Sequence, residues 1–277
     1  MEYSPKKFQE QFSKYGFNLK KMYGQNFIID ENTIDNIINK ASIDKDTLVI
    51  EIGPGAGSLT NKLGKHAKNV ICYEIDTTLK NILEENIESS NVEIIYNDFL
   101  KCNINSDIKK YDYRKLYVVA NLPYYITTPI ITKIIEDGVP IDKLVIMVQK
   151  EVGDRFKAKP NSREYNSLSI YLNYYFDVRK ILDVSKNVFI PKPNVDSIVL
   201  ELVSKTDKFE LVDKNIFFKL VKDSFKQKRK TLKNNLKSYD LNKIEKVLKK
   251  EGYDLSVRAE QLSIEMFVKI ANEIIKK

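Results

Sequence analysis

Short apolar runs recur through the first part of the chain and alternate with stretches whose apolar residues are spaced as in helices. The runs cover residues 47–53, 69–76, 92–99, 116–123 and 143–152. The first four end about 23 residues apart, which is typical of βαβ units, and the fifth supplies another strand, so the pattern predicts an α/β fold with a parallel sheet. Two later runs, 167–178 and 196–203, predict a closing pair of strands, with the proline-stiffened "FIPKPN" between them.

Beyond residue 205 the pattern becomes helical and rich in lysine, so we place a domain boundary near that residue. Residues 1–205 then form the α/β domain, and residues 206–277 form a small helical domain. Within the latter, residues 221–237 predict one basic helix with an apolar stripe that packs on the protein and a second stripe of lysines. The apolar stripe is Val221, Phe225, Leu232 and Leu236, and the lysine stripe is Lys226, Lys230, Lys233 and Lys237.

The positive charge of the chain is concentrated in its last quarter. The formal net charge is +8 over 277 residues, and the segment from Thr206 onward holds 18 Lys and Arg against 11 Asp and Glu. This distribution indicates a polyanionic partner for the second domain. The alternative is a general bias toward lysine, because Lys, Ile and Asn are frequent throughout the sequence, and charge alone leaves both explanations open.

Cysteine and histidine are too scarce for several kinds of chemistry. With Cys72, Cys102 and His66 as the complete set, neither a disulfide framework, a metal cluster nor a histidine-based catalytic site is expected. No run is long enough to span a membrane, and the polar start "MEYSPKKFQEQ" lacks the apolar core of a signal peptide. A reducing, cytoplasmic compartment is therefore expected.

The ends of the predicted strands carry residues suited to an adenosine-type cofactor, which would bind beyond the carboxyl ends of a parallel sheet. The first strand runs into "EIGPGAGSLT", where Gly53 and Gly55 permit a tight turn close to a ligand. The dinucleotide fingerprint would need a glycine at position 58, where this chain has Ser58. Glycine-rich turns of this sort occur in both nicotinamide-dependent proteins and methyltransferases, so the turn alone does not identify the cofactor.

The next two strand ends supply one acid each. Glu74, in "YEID", lies where a carboxylate accepts hydrogen bonds from a ribose, and Asp98 with Phe99 suits an adenine amine and ring face. Each acid alone could be a helix cap or a solvated loop residue. Because three successive strand ends agree and no phosphate-binding lysine motif accompanies them, the set favours S-adenosylmethionine over ATP.

The fourth strand ends in "NLPY", which is either a plain proline turn or a catalytic segment that holds the amino group of a target base. Asn121 and the Leu122 carbonyl could accept both N–H bonds of an adenine amino group and so turn its lone pair toward a methyl donor. Pro123 would fix the direction of that carbonyl, and Tyr124 could stack on the base. This chemistry needs no histidine.

Seven segments together resemble the KsgA-type rRNA adenine N6-dimethyltransferases, over essentially the whole chain. They are "GQNFIID", "VIEIGPGAGSLT", "NLPYYITTPI", "VQKEVGDRFKAKPNSREYNSLSI", "FIPKPNVDSIV", "FKQKRKTLKNNL" and "RAEQLSIEMF". The resemblance implies a Rossmann-like class I S-adenosylmethionine-dependent methyltransferase sheet with a small all-helical C-terminal domain. It also implies a substrate: two adjacent adenosines in a hairpin loop near the 3′ end of small-subunit (16S) rRNA, each methylated twice, within immature 30S particles.

The resemblance also assigns residues. The expected cofactor-binding residues are Asn26, Ile28, Gly53, Gly55, Glu74, Ile75, Asp98, Phe99 and Asn121. The expected catalytic residues are Asn121, Leu122, Pro123, Tyr124 and Phe189. Phe189 would close over the target base opposite Tyr124, and the alternative is that it only packs in its loop. Tyr125 stands where the family more often has Asn, and Gly153 where it often has Ala, which leaves details of base entry open.

Two other functions remain possible from the sequence. One is an Erm-type methyltransferase acting on large-subunit rRNA and giving antibiotic resistance, against which the 149–170 block and "RAEQLSIEMF" argue. The other is a non-catalytic RNA-binding or ribosome-assembly factor, against which the intact Asn121 and Tyr124 argue. The protein is expected to act as a monomer. The order of the two methylations and a methylation-independent role are left open.

Overall fold

A computed structural model describes residues 5–18, 20, 24–206 and 209–276 of the chain. The chain divides into two compact units. The first unit holds the residues up to Gly153 together with Arg179–Val203, and the second holds Asp154–Val178 together with the residues from Ser204 onward. The sequence placed one boundary near residue 205 and assigned residues 154–178 to the first domain, whereas the structure places them in the second unit.

A seven-stranded sheet forms the core of the fold, in the order β4-β3-β2-β5-β6-β9-β7. Its strands are β2 (Thr47–Ile52), β3 (Asn69–Glu74), β4 (Val92–Tyr96), β5 (Lys115–Asn121), β6 (Lys143–Gln149), β7 (Phe176–Val184) and β9 (Ser197–Ser204). The pairs β2–β3, β3–β4, β2–β5 and β5–β6 are parallel, and β9 runs antiparallel to β6. All five strands predicted from the repeating runs are therefore confirmed, and so is the α/β class.

The sheet is wound in two directions from β2, and this places the ligand site. From β2 the chain moves outward to β3 and β4, then returns to the other side of β2 to form β5 and β6. The strand order reverses between β2 and β5, and the carboxyl ends there leave a crevice that the connecting helices do not fill. Every residue of β2 is buried, as expected for a central strand covered on both faces.

Helices accompany both units. The helices before residue 153 are α1 (Pro5–Lys14), α2 (Glu31–Ala41), α3 (Ser58–His66), α4 (Lys80–Asn86), α5 (Ile104–Ile108) and α6 (Thr127–Glu136), and α7 (Lys150–Phe156) follows β6. The second unit contains α8 (Ser167–Tyr175), α9 (Lys214–Ser224), α10 (Leu232–Asn235), α11 (Leu241–Lys250) and α12 (Ile264–Ile275). A separate two-stranded ribbon pairs β1 (Phe27–Ile28) with β8 (Phe189–Ile190).

One predicted strand is wrong in its first three quarters. Residues 167–175 form α8, and the strand begins only at Phe176. The reason is a capping box: the Asn166 side chain accepts from the Leu168 and Ser169 amides, and the Asn166 amide donates to Ser169 Oγ at 3.2 Å. This local cap favours a helix over the alternating pattern that had indicated a strand. The second predicted strand, at 196–203, is β9.

The single basic helix predicted over residues 221–237 is also wrong, because α9 ends at Ser224 and α10 begins at Leu232. Asn235 Nδ2 donates to the Ser224 carbonyl at 2.7 Å and so satisfies the end of α9. The Leu232 amide donates to Val257 O at 2.7 Å, outside any helix. The predicted apolar stripe is nevertheless inward-facing, with Val221, Leu232 and Leu236 buried and Phe225 partly buried in the core of the second unit.

The departure at Gly153 has a local packing reason. A Cβ placed on Gly153 would lie 2.3 Å from Ile198 Cδ1 and 2.6 Å from Ile198 Cγ1. Ile198 follows the first residue of β9 and is buried. Glycine at this position therefore accommodates the isoleucine, and an alanine would force the Ile198 side chain to move.

Candidate active site

A cavity opens at the carboxyl edge of the sheet, where β2, β3, β4 and β5 end. It encloses about 810 Å³ including its mouth. It brings together eleven of the residues predicted from sequence: Asn26, Gly53, Gly55, Glu74, Ile75, Asp98, Phe99, Asn121, Leu122, Pro123 and Tyr124. Four separate strand ends therefore meet at one site, as the alternation of strands and helices predicted, and the segment before β1 joins them, as the resemblance implied.

The glycine turn after β2 approaches the cavity with its backbone. Gly53 and Gly55 have φ angles of 71° and 62°, in the left-handed region that favours glycine. A Cβ on Gly55 would come within 2.9 Å of the Phe27 ring. The Gly55 amide instead donates to Glu74 Oε2 at 3.3 Å, which links the ends of β2 and β3.

Glu74 is a buried carboxylate at the cavity wall, only 4% exposed. Burial raises the pKa of Glu74 to about 7, although the amides of Asp76 and Gly55 oppose this shift by donating hydrogen bonds. An acid held in this way suits a ligand that brings its own hydroxyl donors, because the carboxylate is only partly satisfied by the protein. This is the position predicted for a ribose.

Asp98 and Phe99 lie at the end of the neighbouring strand. Asp98 Oδ1 accepts from the Leu100 amide at 3.0 Å, so the carboxylate is a helix cap as well as part of the cavity wall. The Phe99 ring meets the Tyr73 ring edge-on at 5.2 Å between centroids, which fixes its orientation. Asp98 therefore caps the helical turn and also lines the cavity, so the two roles that the sequence left open for it are compatible.

The NLPY turn leaves two acceptors available at the cavity. Asn121 Nδ2 donates to Asn26 O at 2.9 Å, and this bond orients the amide so that its oxygen remains as an acceptor. The Pro123 carbonyl is used within the turn, since it accepts from the Ile126 amide and Thr127 Oγ1. Within the described part of the chain, neither Asn121 Oδ1 nor the Leu122 carbonyl accepts a hydrogen bond from the protein.

Tyr124 is held by a partner that sequence reasoning missed. Its hydroxyl forms a 2.9 Å hydrogen bond with Ser197 Oγ, and Ser197 is itself buried at the start of β9. Burial raises the pKa of Tyr124, so the hydroxyl stays protonated at neutral pH. Ser197 is the last residue of "FIPKPNVDS", which is the only sequence signal that could have pointed to it.

Two predicted residues do not line the main cavity. Ile28 and Phe189 face each other across the β1–β8 ribbon, and they are 4% and 2% exposed. Ile28 lines a smaller cavity of about 310 Å³ that shares Asn26, Gly53, Gly55 and Asn121 with the main one. Phe189 packs in the hydrophobic core. This position agrees with the alternative that Phe189 only packs in its loop, and it does not support stacking on a target base.

The segment before β1 is tied to the site through Asp76, another feature that sequence reasoning missed. Asp76 is 1% exposed, accepts from Gln25 Nε2 at 2.8 Å and forms an ion pair with Lys20 at 2.7 Å. Burial alone would raise the pKa of Asp76, but the hydrogen bonds from Lys20, Thr78 and Gln25 outweigh it and lower the pKa. These contacts hold Gln25 and Asn26 at the cavity wall.

The second unit has a basic cavity of its own, which we define by Arg163, Lys228, Arg229 and Arg258 with Asn161, Ser162 and Glu260. It encloses about 620 Å³ including its mouth, and all four cationic side chains are exposed. Within the described residues, none of the four forms an ion pair with a carboxylate. Lys228 Nζ donates to the Arg163 carbonyl, which links two segments distant in sequence.

Neither a membrane-spanning helix nor a metal cluster is found in the described part of the chain. None of its helices has the length and apolarity needed to cross a bilayer. The described residues also contain no group of three His, Cys, Asp or Glu side chains placed to hold a metal ion.

Known proteins resemble this chain over nearly its full length. A profile described as ribosomal RNA adenine dimethylase matches residues 16–276. The chain is 44% identical over 278 residues to the ribosomal RNA small subunit methyltransferase A of Oceanobacillus iheyensis, covering 97% of this chain and 95% of that protein. It is 46% identical over 280 residues to the protein of the same name from Staphylococcus aureus, covering 98% and 94%.

Solved structures agree with this likeness. The crystal structure of a dimethyladenosine transferase from Plasmodium falciparum matches with a TM-score of 0.73 and 26% identity, covering 88% of this chain and 95% of that one. The 23S rRNA methyltransferase ErmE matches with a TM-score of 0.71 and 23% identity, covering 90% and 100%, which shows a shared fold. The resemblance drawn from the motifs is therefore confirmed, and the chain belongs to the ribosomal RNA adenine dimethylase family.

Proposed function

We propose that this protein transfers methyl groups from S-adenosylmethionine to the N6 amino groups of two adjacent adenosines in the hairpin loop near the 3′ end of small-subunit rRNA. The observation that carries the proposal is the pair of acceptors, Asn121 Oδ1 and the Leu122 carbonyl, in the same cavity as Glu74 and Asp98. The relatives that are 44–46% identical are named for the small ribosomal subunit, and this supports that substrate over large-subunit rRNA.

The cavity residues fit the cofactor. Glu74 offers a buried carboxylate to ribose hydroxyls, and Asp98 with Phe99 offers an acceptor and a ring face to adenine. Gly53 and Gly55 bring the backbone close, since no Cβ stands between it and the cavity. The smaller adjoining cavity, lined by Ile28 and Glu51, would take the amino-acid end of the cofactor. When bound, the cofactor supplies an electrophilic methyl group on its sulfonium.

The chain's own contribution to the reaction is to position the amine and direct its lone pair. Asn121 Oδ1 and the Leu122 carbonyl accept the two N–H bonds of the amino group, which opposes delocalisation of the nitrogen lone pair into the ring. The bond from Asn121 Nδ2 to Asn26 O prevents the amide from turning its donor side toward the amine. Tyr124, fixed by Ser197, supplies one face against which the base can stack.

The basic cavity of the second unit is a surface suited to binding RNA phosphates. Its exposed cations line the basic cavity without carboxylate partners among the described residues, so binding phosphates would not first require breaking ion pairs. We propose that this surface contacts rRNA in immature 30S particles, with the protein acting as a monomer in the cytoplasm. Its two cysteines are free and buried, which fits a reducing compartment.

The test is methyl transfer with labelled cofactor onto small-subunit particles from cells that lack this methylation, with naked large-subunit RNA as the comparison substrate. We expect label in N6,N6-dimethyladenosine on the small-subunit RNA alone. Label on large-subunit RNA would support the Erm-type activity instead. RNA binding without any label would indicate a non-catalytic assembly factor.

A further inference from the structure

Tyr125 is an aromatic side chain that the fold leaves exposed at the mouth of the main cavity. It is 59% exposed, whereas its neighbour Tyr124 is half-buried. Among the large apolar and aromatic side chains that the described chain leaves exposed, Ile75 and Tyr125 are the two that line this cavity. An aromatic ring exposed at the rim of a ligand cavity offers a flat apolar face on which part of a bound nucleic acid can stack.

A tight turn and a contact with Gly24 place the Tyr125 ring. The residue lies in the turn closed by the bond from the Ile126 amide to the Pro123 carbonyl, at 3.1 Å, directly before α6. On one side the ring rests on Gly24: a Cβ there would lie 3.4 Å from its Cδ1 and Cε1 atoms. Gly24 has a φ of 57°, in the left-handed region that favours glycine, and the ring lies at ordinary van der Waals distance from the position of its Cβ.

The ring lies at the target end of the cavity. Tyr125 follows the acceptors of β5, whereas Asp98 follows β4, which is three strands away in the order β4-β3-β2-β5. Three strand spacings correspond to about 14 Å. The exposed ring is therefore placed beside the incoming base and away from the adenine-binding position of the cofactor.

We propose that Tyr125 is a stacking platform for the nucleobase adjacent to the adenosine that enters the cavity, an inference that rests on the proposed function. Moving one base out of its stack leaves the neighbouring base with an uncovered face. An aromatic ring can cover that face whatever the base, and it holds the neighbour near the mouth while the first adenosine reacts. Because the two targets are adjacent, the neighbour is itself a substrate of the same site.

The experiment compares Tyr125→Ala and Tyr125→Phe on reconstituted small-subunit particles, with either adenosine or an abasic nucleotide at the neighbouring position. On intact particles Tyr125→Ala should raise KM for the particle about 5- to 100-fold, and Tyr125→Phe should stay near wild type because it keeps the ring. On abasic particles the wild-type KM should rise by a similar factor, and Tyr125→Ala should add little. Cofactor affinity by calorimetry should be unchanged in both variants.

A matched control is Tyr253→Ala, which removes an exposed tyrosine that lines neither cavity. The platform would be rejected by a Tyr125→Ala defect of equal size on intact and abasic particles, by a loss of cofactor affinity, or by wild-type kinetics. Failure of the wild-type protein to methylate intact particles would overturn the proposed function and, with it, this inference. Normal wild-type activity with an unaffected Tyr125→Ala variant would overturn the inference alone.

Discussion

The two cavities of this protein present different kinds of groups to a ligand: the first presents hydrogen-bond acceptors and the second presents cations. The cavity of the first unit presents a backbone carbonyl together with an amide and a buried carboxylate that are fixed by hydrogen bonds to the protein. The basic cavity of the second unit presents four exposed cations, carried on loops and turns. Fixed neutral acceptors are suited to aligning one atom, whereas exposed charges attract a polyanion without demanding one geometry.

The difference predicts that the two regions can be impaired separately. Changes at Asn121 or Glu74 in the first cavity should alter turnover or cofactor affinity and leave RNA affinity intact. Changes in the basic cavity should alter RNA affinity and its salt dependence and leave cofactor affinity intact. Four predictions test this separation, in decreasing order of expected effect.

Asn121→Ala should lower turnover about 10²- to 10³-fold, by analogy with removing one hydrogen-bond donor or acceptor that acts in a transition state. RNA affinity should change little. Single-turnover methylation of small-subunit particles measures the effect, and Asn194→Ala, which removes an exposed asparagine outside the cavities, is the control. Turnover within a few-fold of wild type would remove Asn121 from the catalytic role.

Glu74→Gln should lower the affinity for the cofactor about 10- to 100-fold, because a neutral amide replaces a charged acceptor of hydroxyl hydrogen bonds. Since burial raises the pKa of Glu74 to about 7, the wild-type carboxylate gains a proton as the pH falls below that value. Cofactor affinity should therefore fall by up to about tenfold per pH unit below pH 7. Calorimetry from pH 5.5 to 8.5 should show this slope in the wild type and a flatter one in Glu74→Gln.

Replacing Arg163, Lys228 and Arg229 together by Gln should flatten the slope of log RNA affinity against log salt by about two units, at roughly 0.7–0.9 per lost phosphate contact. The matched variant changes Lys226, Lys230 and Lys233 to Gln, which removes the same charge from the lysine stripe predicted by sequence. Those lysines are exposed, but they lie outside the basic cavity. A larger effect in the stripe variant would move the docking surface there, and an unaltered slope in both would place it elsewhere.

Ser197→Ala should reduce kcat for RNA methylation by about 3- to 10-fold, the value of one neutral hydrogen bond, because Tyr124 loses its anchor. Tyr124→Phe breaks the same bond from the other side. If the bond is what matters, the double variant should be no worse than either single variant. Additive losses would show that the two residues act independently. Ser197→Thr should keep activity near that of the wild type if the threonine hydroxyl reaches Tyr124.

The strands and their chemistry were accessible from the sequence because both are encoded locally. Apolar runs followed by Gly53, Glu74, Asp98 or Asn121 place those residues at strand ends, and parallel strands bring such ends to one edge. The helix α8 was missed because its residues alternate like a strand, and the capping box at Asn166 decided otherwise. The predicted basic helix failed because the side chain of Asn235 and the loop before α12 compete for its backbone groups.

By itself the sequence determined the α/β class, the position of the cavity and nine of the residues that line it, since hydrophobic period and strand-end residues are local properties. The family resemblance added two more, Asn26 and Ile75. The tertiary structure decided the contacts between distant segments. Asn26 orients Asn121 across 95 residues of sequence, Ser197 anchors Tyr124 across 73, and Lys228 meets Arg163 across 65. These pairings depend on how strands and loops are brought together in space, so no periodicity along the chain records them.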